Sequence, residues 1–184
     1  MEILLSDDAS SDATVSLARD TIAACLVQHP GLSVELPVLE NRPALRITKN
    51  FEQAVRACRG DLIALCDQDD VWHVDRLRRM ADEFARRPEL TLLHADARLI
   101  DGQGRSMDST LFKALEVKPF ELEWIHEGRA LDALLRRNLV TGATTMFRRQ
   151  LLEHALPFPT EWLHDEWLAG VAGATGRIDV MEVQ

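Results

Sequence analysis

Residues 61–72 read Asp-Leu-Ile-Ala-Leu-Cys-Asp-Gln-Asp-Asp-Val-Trp. Residues 62–66 form a continuous apolar run without period-two alternation, which predicts a strand buried on both faces of a parallel sheet. Three carboxylates, Asp67, Asp69 and Asp70, follow where that strand should end. Ligands of open α/β sheets bind outside the carboxyl ends of the strands, and carboxylate oxygens suit Mg²⁺ or Mn²⁺. The stretch predicts a divalent-metal site that holds a phosphorylated substrate. The alternative is a solvated acidic turn that caps the next helix.

Strands and helices are predicted to alternate along the whole chain. Apolar patterns and turn residues place strands at 2–6, 32–39, 62–66, 90–100, 139–147 and 178–183. Helices are expected at 12–28, 50–58, 74–87, 110–115, 130–137, 148–154 and 164–174. Pro37 marks the second strand as an edge strand, and residues 101–104 are a turn. This order favours an α/β domain with a largely parallel sheet, built as one domain over residues 1–184.

Composition narrows the class of protein. The formal net charge of -9 argues against a nucleic-acid-binding protein, which usually carries a basic face. Cys25, Cys58 and Cys66 show no CxxC spacing, so they are interpreted as reduced thiols of a cytoplasmic protein. No apolar run approaches the ~18 residues of a transmembrane segment, and no signal peptide is evident.

Four segments occur in an order that resembles a known family. They are Ser-Asp-Asp-Ala-Ser-Ser-Asp at 6–12, Asn50-Phe51 through Trp72, Val-Thr-Gly-Ala at 140–143 and Leu-His-Asp-Glu-Trp-Leu-Ala at 163–169. Together they resemble the family 2 glycosyltransferases of GT-A fold, especially the rhamnosyltransferase-like branch. The resemblance implies a GT-A-like sheet flanked by helices. It also implies inverting, metal-dependent transfer of a sugar from a nucleoside diphosphate-sugar to a hydroxyl of a glycan or lipid-linked acceptor.

The same resemblance implies roles for individual residues. Asp8, with Asp7 beside it, would bind the nucleoside half of the donor, because a strand-end carboxylate can accept a hydrogen bond from a base N–H or a ribose hydroxyl. Asp69 would ligate Mg²⁺ or Mn²⁺, and Asp67 would contact the ribose or the metal. Asp165 would be the catalytic base. The weaker candidates for the sugar and acceptor site are Thr141, Gly142, His164 and Glu166.

Each of these residues also has an ordinary structural interpretation. Asp7 and Asp8 fit a turn that leads into a helix cap, and Asp165 fits an N-cap. Asp70 is expected to cap the helix after the acidic turn or to support the metal ligands. Ala9 stands where the family usually has Gly, which bears on the conformation of that turn. Asp96 fits both a family position and a structural strand end.

Two other functions compete with sugar transfer. A phosphohydrolase of the haloacid dehalogenase type also places Asp-x-Asp after an apolar strand, but it needs a later Lys, and no Lys follows Lys118. An inactive or partial domain that binds a nucleotide-sugar without turnover is the second alternative. It arises because the family usually has a strand and helix before the 6–12 segment and a further segment after residue 183, so the chain is expected to be truncated at both ends.

The expected setting is cytoplasmic synthesis of a cell-surface polysaccharide. The resemblance allows peripheral attachment to the inner face of the membrane.

Overall fold

The structure is a computed structural model that describes residues 1–182. The chain divides into two compact units. The first consists of Met1–Asp61 and Leu156–His164, and the second of Leu62–Ala155 and the chain from Asp165 onward.

The first unit is a parallel strand pair with two helices. Its elements are β1 (Leu5–Asp7), α1 (Thr14–Gln28), β2 (Val38–Glu40) and α2 (Ile47–Ala57). Leu5 lies opposite Val38 in the parallel register. A second parallel bridge joins Glu2 to Glu35, beyond the hydrogen-bonded strands. The carboxyl ends of β1 and β2 therefore point the same way, and both lead into polar loops.

The second unit contains a four-stranded mixed sheet in the order β3-β7-β4-β8. The strands are β3 (Leu62–Ala64), β4 (Leu90–Ala95), β7 (Met146–Arg148) and β8 (Arg177–Met181), and β5 (Arg98–Ile100) pairs with β6 (Ser106–Thr110) as a separate hairpin. The helices are α3 (Arg76–Arg86), α4 (Leu111–Ala114), α5 (Pro119–His126), α6 (Ala130–Leu134), α7 (Leu152–Ala155) and α8 (His164–Thr175), the last beginning in the first unit. Strand β7 runs antiparallel to both of its neighbours, and β4 and β8 are parallel.

The core of the second unit forms between α3 and the sheet. Met80 and Phe84 of α3 are buried with Leu90, Leu93 and Met146 of the sheet. Met80 and Phe84 lie four residues apart, on the same face of α3, and that face packs against the sheet. This is the burial that the apolar pattern predicts. The packing fixes the sheet, and with it the carboxyl end of β3.

The α/β class is confirmed, but several elements differ from the sequence prediction. Strand β3 has one strand partner within residues 1–182, β7, and that pairing is antiparallel, so the expected parallel neighbours are wrong for this strand. An apolar run reports burial, and Ile63 and Leu65 are indeed buried, but it does not report strand direction. The predicted last strand extends to residue 183, which lies outside the described residues.

The predicted strand 90–100 is interrupted at Asp96. One oxygen of its side chain, Oδ1, accepts hydrogen bonds from the backbone N–H groups of Ala97 and Phe112, both at 2.8 Å. These bonds turn the chain out of β4 and into the β5–β6 hairpin. Asp96 therefore has the structural role of a strand-end residue.

The predicted strand 139–147 is short because its first half turns. Gly142–Thr144 form a 3₁₀ turn, and only Met146 and Phe147 of the predicted strand join β7. Helix α5 was not predicted, because it begins with Pro119 and its apolar residues show no clear period. In the first case, hydrogen bonds from threonine side chains override the apolar periodicity. In the second case, the geometry of Pro119 starts a helix that the periodicity does not indicate.

Candidate functional site

The acidic turn follows β3, as the sequence predicts. Asp67 is half-buried, and Asp69 and Asp70 are exposed. Burial raises the pKa of Asp67, and the negative charges of Asp70, Asp69 and Asp165 raise it further. The turn therefore concentrates negative charge at one point. Asp165, in the first turn of α8, adds to this charge. A cation placed there would relieve this repulsion.

Asp70 does not cap the following helix. Helix α3 begins at Arg76, and its N-cap residue is Asp75, so the predicted helix cap at Asp70 is wrong, whereas the alternative that Asp70 supports the metal ligands stays a prediction. Burial and the charge of Asp69 raise the pKa of Asp70, and the Arg76 guanidinium opposes this increase. That guanidinium lies 4.1 Å from the centre of the Trp72 ring, a cation–π arrangement that ties the acidic turn to the start of α3. Trp72 therefore packs against the first residue of α3.

Asp165 lies in the first turn of α8, and its carboxylate accepts two backbone N–H groups. Oδ2 accepts from Gly142 at 2.9 Å, and Oδ1 accepts from Glu166 at 2.8 Å. The structure thus joins three of the predicted site residues, Gly142, Asp165 and Glu166, through direct hydrogen bonds. Because Asp165 also acts on the pKa of Asp67, the predicted base and the predicted metal ligand belong to one electrostatic cluster.

The 3₁₀ turn that carries Gly142 is held by hydroxyl groups. The Thr141 carbonyl accepts from the hydroxyl of Thr144 at 3.0 Å, from the hydroxyl of Thr145 at 2.8 Å and from the Thr144 N–H at 3.1 Å. The carbonyl of Thr145 in turn accepts the N–H of Leu65 at 3.0 Å. The sequence identified Thr141 and Gly142 but missed Thr144 and Thr145. A run of three Thr around a Gly is the signal that could have revealed them, because Thr hydroxyls commonly bind nearby carbonyls.

His164 belongs to the first unit and is buried against α2. Its ring lies parallel to the ring of Phe51, with centroids 3.7 Å apart. Only 7% of the His164 surface is exposed. Stacking and burial support a packing role for His164 more than contact with an acceptor.

In the first unit, Asp7 and Asp8 organise the loop after β2. Asp8 accepts the backbone N–H groups of Leu45 at 2.6 Å and Arg46 at 2.8 Å. Asp7 is buried, and its Oδ2 accepts from Arg42 at 3.1 Å. The hydrogen bond from the Ser10 hydroxyl lowers the pKa of Asp7, burial opposes this, and Arg42 lowers it further. Both carboxylates are therefore held in fixed orientations at the end of β1.

A network of amides supports these two aspartates, and sequence reasoning did not find it as a network. Asn41 donates to Asp8 at 3.1 Å and to Asn50 at 2.9 Å, and Gln53 donates to Asn41 at 2.8 Å. Asn50 also accepts from the hydroxyl of Ser6 at 2.6 Å. The network links α2 to the carboxyl end of β1, so the side chains there are preorganised.

Comparisons with known proteins identify the family. Residues 1–156 match the sequence profile described as glycosyl transferase family 2. The chain belongs to glycosyl transferase family 2. Uncharacterized proteins of Mycobacterium bovis and Mycobacterium tuberculosis are 30% identical to this family member over 171 residues, which are 88% of this chain and 43% of theirs. The chain thus spans less than half the length of these curated relatives.

Two solved structures share the fold. A mannosyltransferase from Pyrobaculum calidifontis, determined in complex with GDP-Man and Mn²⁺, superposes with a TM-score of 0.67 at 20% identity, over 98% of this chain and 45% of that one. TarS of S. aureus, residues 1–349, gives a TM-score of 0.66 at 18% identity, over 100% of this chain and 49% of that one. The GT-A-like α/β fold that the sequence predicts is confirmed.

The acidic turn of this family member has the oxygen ligands that a hard divalent cation requires. Across residues 1–182, no three or more His, Cys, Asp or Glu side chains are grouped to hold a metal ion by themselves. Mg²⁺ in nucleotide sites is usually bound by one or two carboxylates together with substrate phosphates, so Asp67 and Asp69 fit such a cation.

Within residues 1–182, no helix is both long enough and apolar enough to cross a membrane.

Proposed function

We propose that this chain carries the inverting, metal-dependent transfer of a sugar from a nucleoside diphosphate-sugar to an acceptor hydroxyl. The observation that carries the proposal is the charge cluster at the end of β3, where burial and three neighbouring carboxylates raise the pKa of Asp67. Concentrated negative charge is unfavourable unless a cation belongs there. Membership of the family makes a nucleotide-sugar the substrate that would bring diphosphate to that cation.

The cation would be Mg²⁺ or Mn²⁺, held by Asp69 and Asp67. When bound, it would stabilise the negative charge that develops on the diphosphate as the nucleotide leaves. Asp69 is exposed and free to turn toward a ligand, and Asp67 lies closer to the strand. Asp70 would support the metal ligands indirectly, through its negative charge, which raises the pKa of the neighbouring Asp67.

Asp7 and Asp8 would bind the nucleoside half of the donor. Their orientations are fixed before any ligand arrives, since Asp8 is held by the loop 41–46 and Asp7 by Arg42. Preorganised acceptors lose little freedom on binding, which favours recognition of a base N–H or a ribose hydroxyl. Asp67, in the second unit, would contact the ribose or the metal.

Asp165 would remove the proton from the acceptor hydroxyl as that oxygen attacks the anomeric carbon. Its two backbone hydrogen bonds fix the carboxylate in the first turn of α8. A single displacement with one base inverts the configuration, and no second carboxylate is needed as a nucleophile. Gly142 and Thr141 would line the sugar, with Glu166 beside them, and His164 would support the start of α8 by packing.

The sugar would be a hexose, with rhamnose as the first choice from the sequence resemblance. The acceptor would be a glycan or a lipid-linked sugar used in cell-surface polysaccharide synthesis. The reaction would take place in the cytoplasm or at the inner face of the membrane.

The test is release of nucleotide from a panel of donors. The chain would be incubated with Mn²⁺ or Mg²⁺ and with dTDP-rhamnose, GDP-mannose, UDP-glucose or UDP-N-acetylglucosamine, and nucleoside diphosphate would be measured. We expect release from one donor, abolished by EDTA. Asp165→Asn should lower turnover by about 10²- to 10⁴-fold while donor affinity is retained, because the base acts on the acceptor.

The matched control is Glu153→Gln, which removes an exposed acid from α7. Donor binding without release in the unaltered chain would favour the binding-only alternative. Donor affinity that falls together with turnover in Asp165→Asn would mean that Asp165 is structural, and Glu166→Gln would then be tested as the base.

A further inference from the structure

One peptide group of the second unit connects the hydroxyls of two buried threonines to Asp165. The peptide between Thr141 and Gly142 presents its carbonyl to the Thr144 and Thr145 hydroxyls at 3.0 and 2.8 Å. Its N–H, on the opposite side of the same planar unit, donates to Asp165 Oδ2 at 2.9 Å. Because a peptide group is rigid, fixing the carbonyl also fixes the direction of the N–H.

We propose that Thr144 and Thr145 are positioning residues for the catalytic base. Their hydroxyls hold the Thr141–Gly142 peptide in the one orientation that offers its N–H to Asp165. This inference rests on the proposed function in one respect, namely that Asp165 is the base. It adds two residues that the sequence motif does not contain.

The position of the peptide explains why it must be held. The two threonine hydroxyls and the Thr141 carbonyl that they bind are called the peptide lock below. Residue 142 is a glycine, and a peptide that adjoins glycine rotates more easily than others because no Cβ restricts the backbone. A rotated peptide would direct its carbonyl oxygen at the Asp165 carboxylate, and the two negative groups would repel. The hydroxyls make this rotation costly, since it would leave them without their acceptor in a buried site.

The hydroxyls are well placed for this role because they are shielded from water. Thr145 is 1% exposed and Thr144 is 7% exposed, so solvent does not compete for their hydrogen bonds. Hydrogen bonds to a carbonyl also polarise the peptide and strengthen its N–H as a donor. The Thr145 carbonyl accepts the Leu65 N–H at 3.0 Å. This bond attaches the turn to Leu65, which lies two residues before Asp67.

The test compares Thr145→Val, which keeps the shape and loses the hydroxyl, with Thr145→Ser, which keeps the hydroxyl. Thr175→Val is the matched control, because Thr175 donates to the Val171 carbonyl at 2.7 Å within the same helix as Asp165 but far from the turn. The first readout is hydrogen exchange of the Gly142 amide in the protein without substrate. We expect about tenfold faster exchange in Thr145→Val, from loss of one hydrogen bond, and unchanged exchange in the other two variants.

The second readout is turnover of whichever donor in the nucleotide-sugar panel is hydrolysed. In Thr145→Val we expect kcat to fall by about tenfold with the donor KM unchanged, and Thr145→Ser to restore it. Global unfolding of all three variants should stay close to that of the unaltered protein, because the Thr141 carbonyl keeps the Thr144 N–H as a donor.

The outcomes separate the two proposals. Unchanged Gly142 exchange in Thr145→Val would overturn the peptide lock, whatever the activity. Faster exchange with unchanged kcat would mean that the hydroxyls hold the peptide without positioning the base, and would overturn the proposal as well. Full turnover in Asp165→Asn would instead refute the assignment of the base, while the exchange result would still report on the peptide lock.

Discussion

The imidazole ring of His164 lies flat on the phenyl ring of Phe51, with centroids 3.7 Å apart and planes 5° from parallel. This contact gives His164 a packing function, because a ring that is covered on one face and 7% exposed has little surface left for a substrate. The contact also anchors the segment Leu156–His164 to α2 inside the first unit.

The stacked pair yields a prediction that separates packing from chemistry. His164→Phe should keep the stack and the turnover, whereas His164→Ala should destabilise the protein by about 1 to 3 kcal/mol more than His164→Phe, through lost burial and ring contact. Chemical denaturation and donor turnover would be measured on both variants. A stable His164→Phe variant with strongly reduced turnover would instead indicate that His164 contacts the substrate.

Asp69→Asn should remove metal-dependent binding of a nucleoside diphosphate without loss of stability. The position is exposed, so the substitution removes a ligand charge and disturbs no packing. Isothermal titration with GDP or UDP in the presence and absence of Mn²⁺ measures the effect. Asp82→Asn, an exposed acid on α3 whose carboxylate lies 3.7 Å from Arg78, is the control with the same change of charge. Equal Mn²⁺-dependent affinity in the two variants would exclude Asp69 as a ligand.

Buried His94 should make the protein less stable in mild acid. His94 is 1% exposed, and burial lowers its pKa from 6.5 to about 4, partly opposed by Asp179. Between these two pH values the unfolded chain binds a proton that the folded protein does not, so stability falls as pH drops through 6.5 toward 4. The loss from this group at pH 5 is about 2 kcal/mol.

The measurement is the free energy of unfolding at pH 7 and pH 5. His94→Phe should lack this share of the pH dependence, because it keeps a ring beside Phe112 and has no titrating nitrogen. The exposed His29→Asn variant should behave like the unaltered protein. An identical loss in His94→Phe would show that other groups cause the acid sensitivity.

Ala9→Gly should stabilise the protein. Ala9 has φ 71°, a left-handed conformation that costs an L-residue with a Cβ roughly 1 to 2 kcal/mol. Glycine adopts it freely but loses more entropy on folding, so the net gain should be about 0.5 to 1 kcal/mol. The midpoint of urea denaturation measures this gain, with Ala13→Gly, just before α1, as a control that should give no gain. A lower midpoint for Ala9→Gly would contradict the strain argument.

The acidic turn, the α/β class and the order of the motifs could be predicted because each depends on local sequence. An apolar run followed by Asp67 and Asp69 defines a strand end whatever lies beside it. Ala9 stands where the family usually has Gly, which put the conformation of that turn in question, and its φ of 71° shows that the left-handed conformation is kept. Helix α8, expected at 164–174 and observed at His164–Thr175, followed from spacing alone.

The remaining features depend on contacts that are distant in sequence. The direction of β3 is set by β7, more than eighty residues later in the chain. Helix α3 begins at Arg76 with Asp75 as its N-cap, so Asp70 in the acidic turn did not identify the cap of this helix. The Gly142–Asp165 bond joins residues from two separate motifs, and no pattern in either motif contains it.

The hydrogen bond from Leu65 N–H to the Thr145 carbonyl has a practical consequence for engineering. It ties the turn at 141–145 to the end of β3, so that a replacement of residues 141–145 also acts on the chain that leads to the acidic turn. A grafted loop that moved the Thr145 carbonyl would lose the hydrogen bond from Leu65, two residues before Asp67. Specificity libraries should therefore keep the 144–145 backbone constant and vary positions that face outward from it.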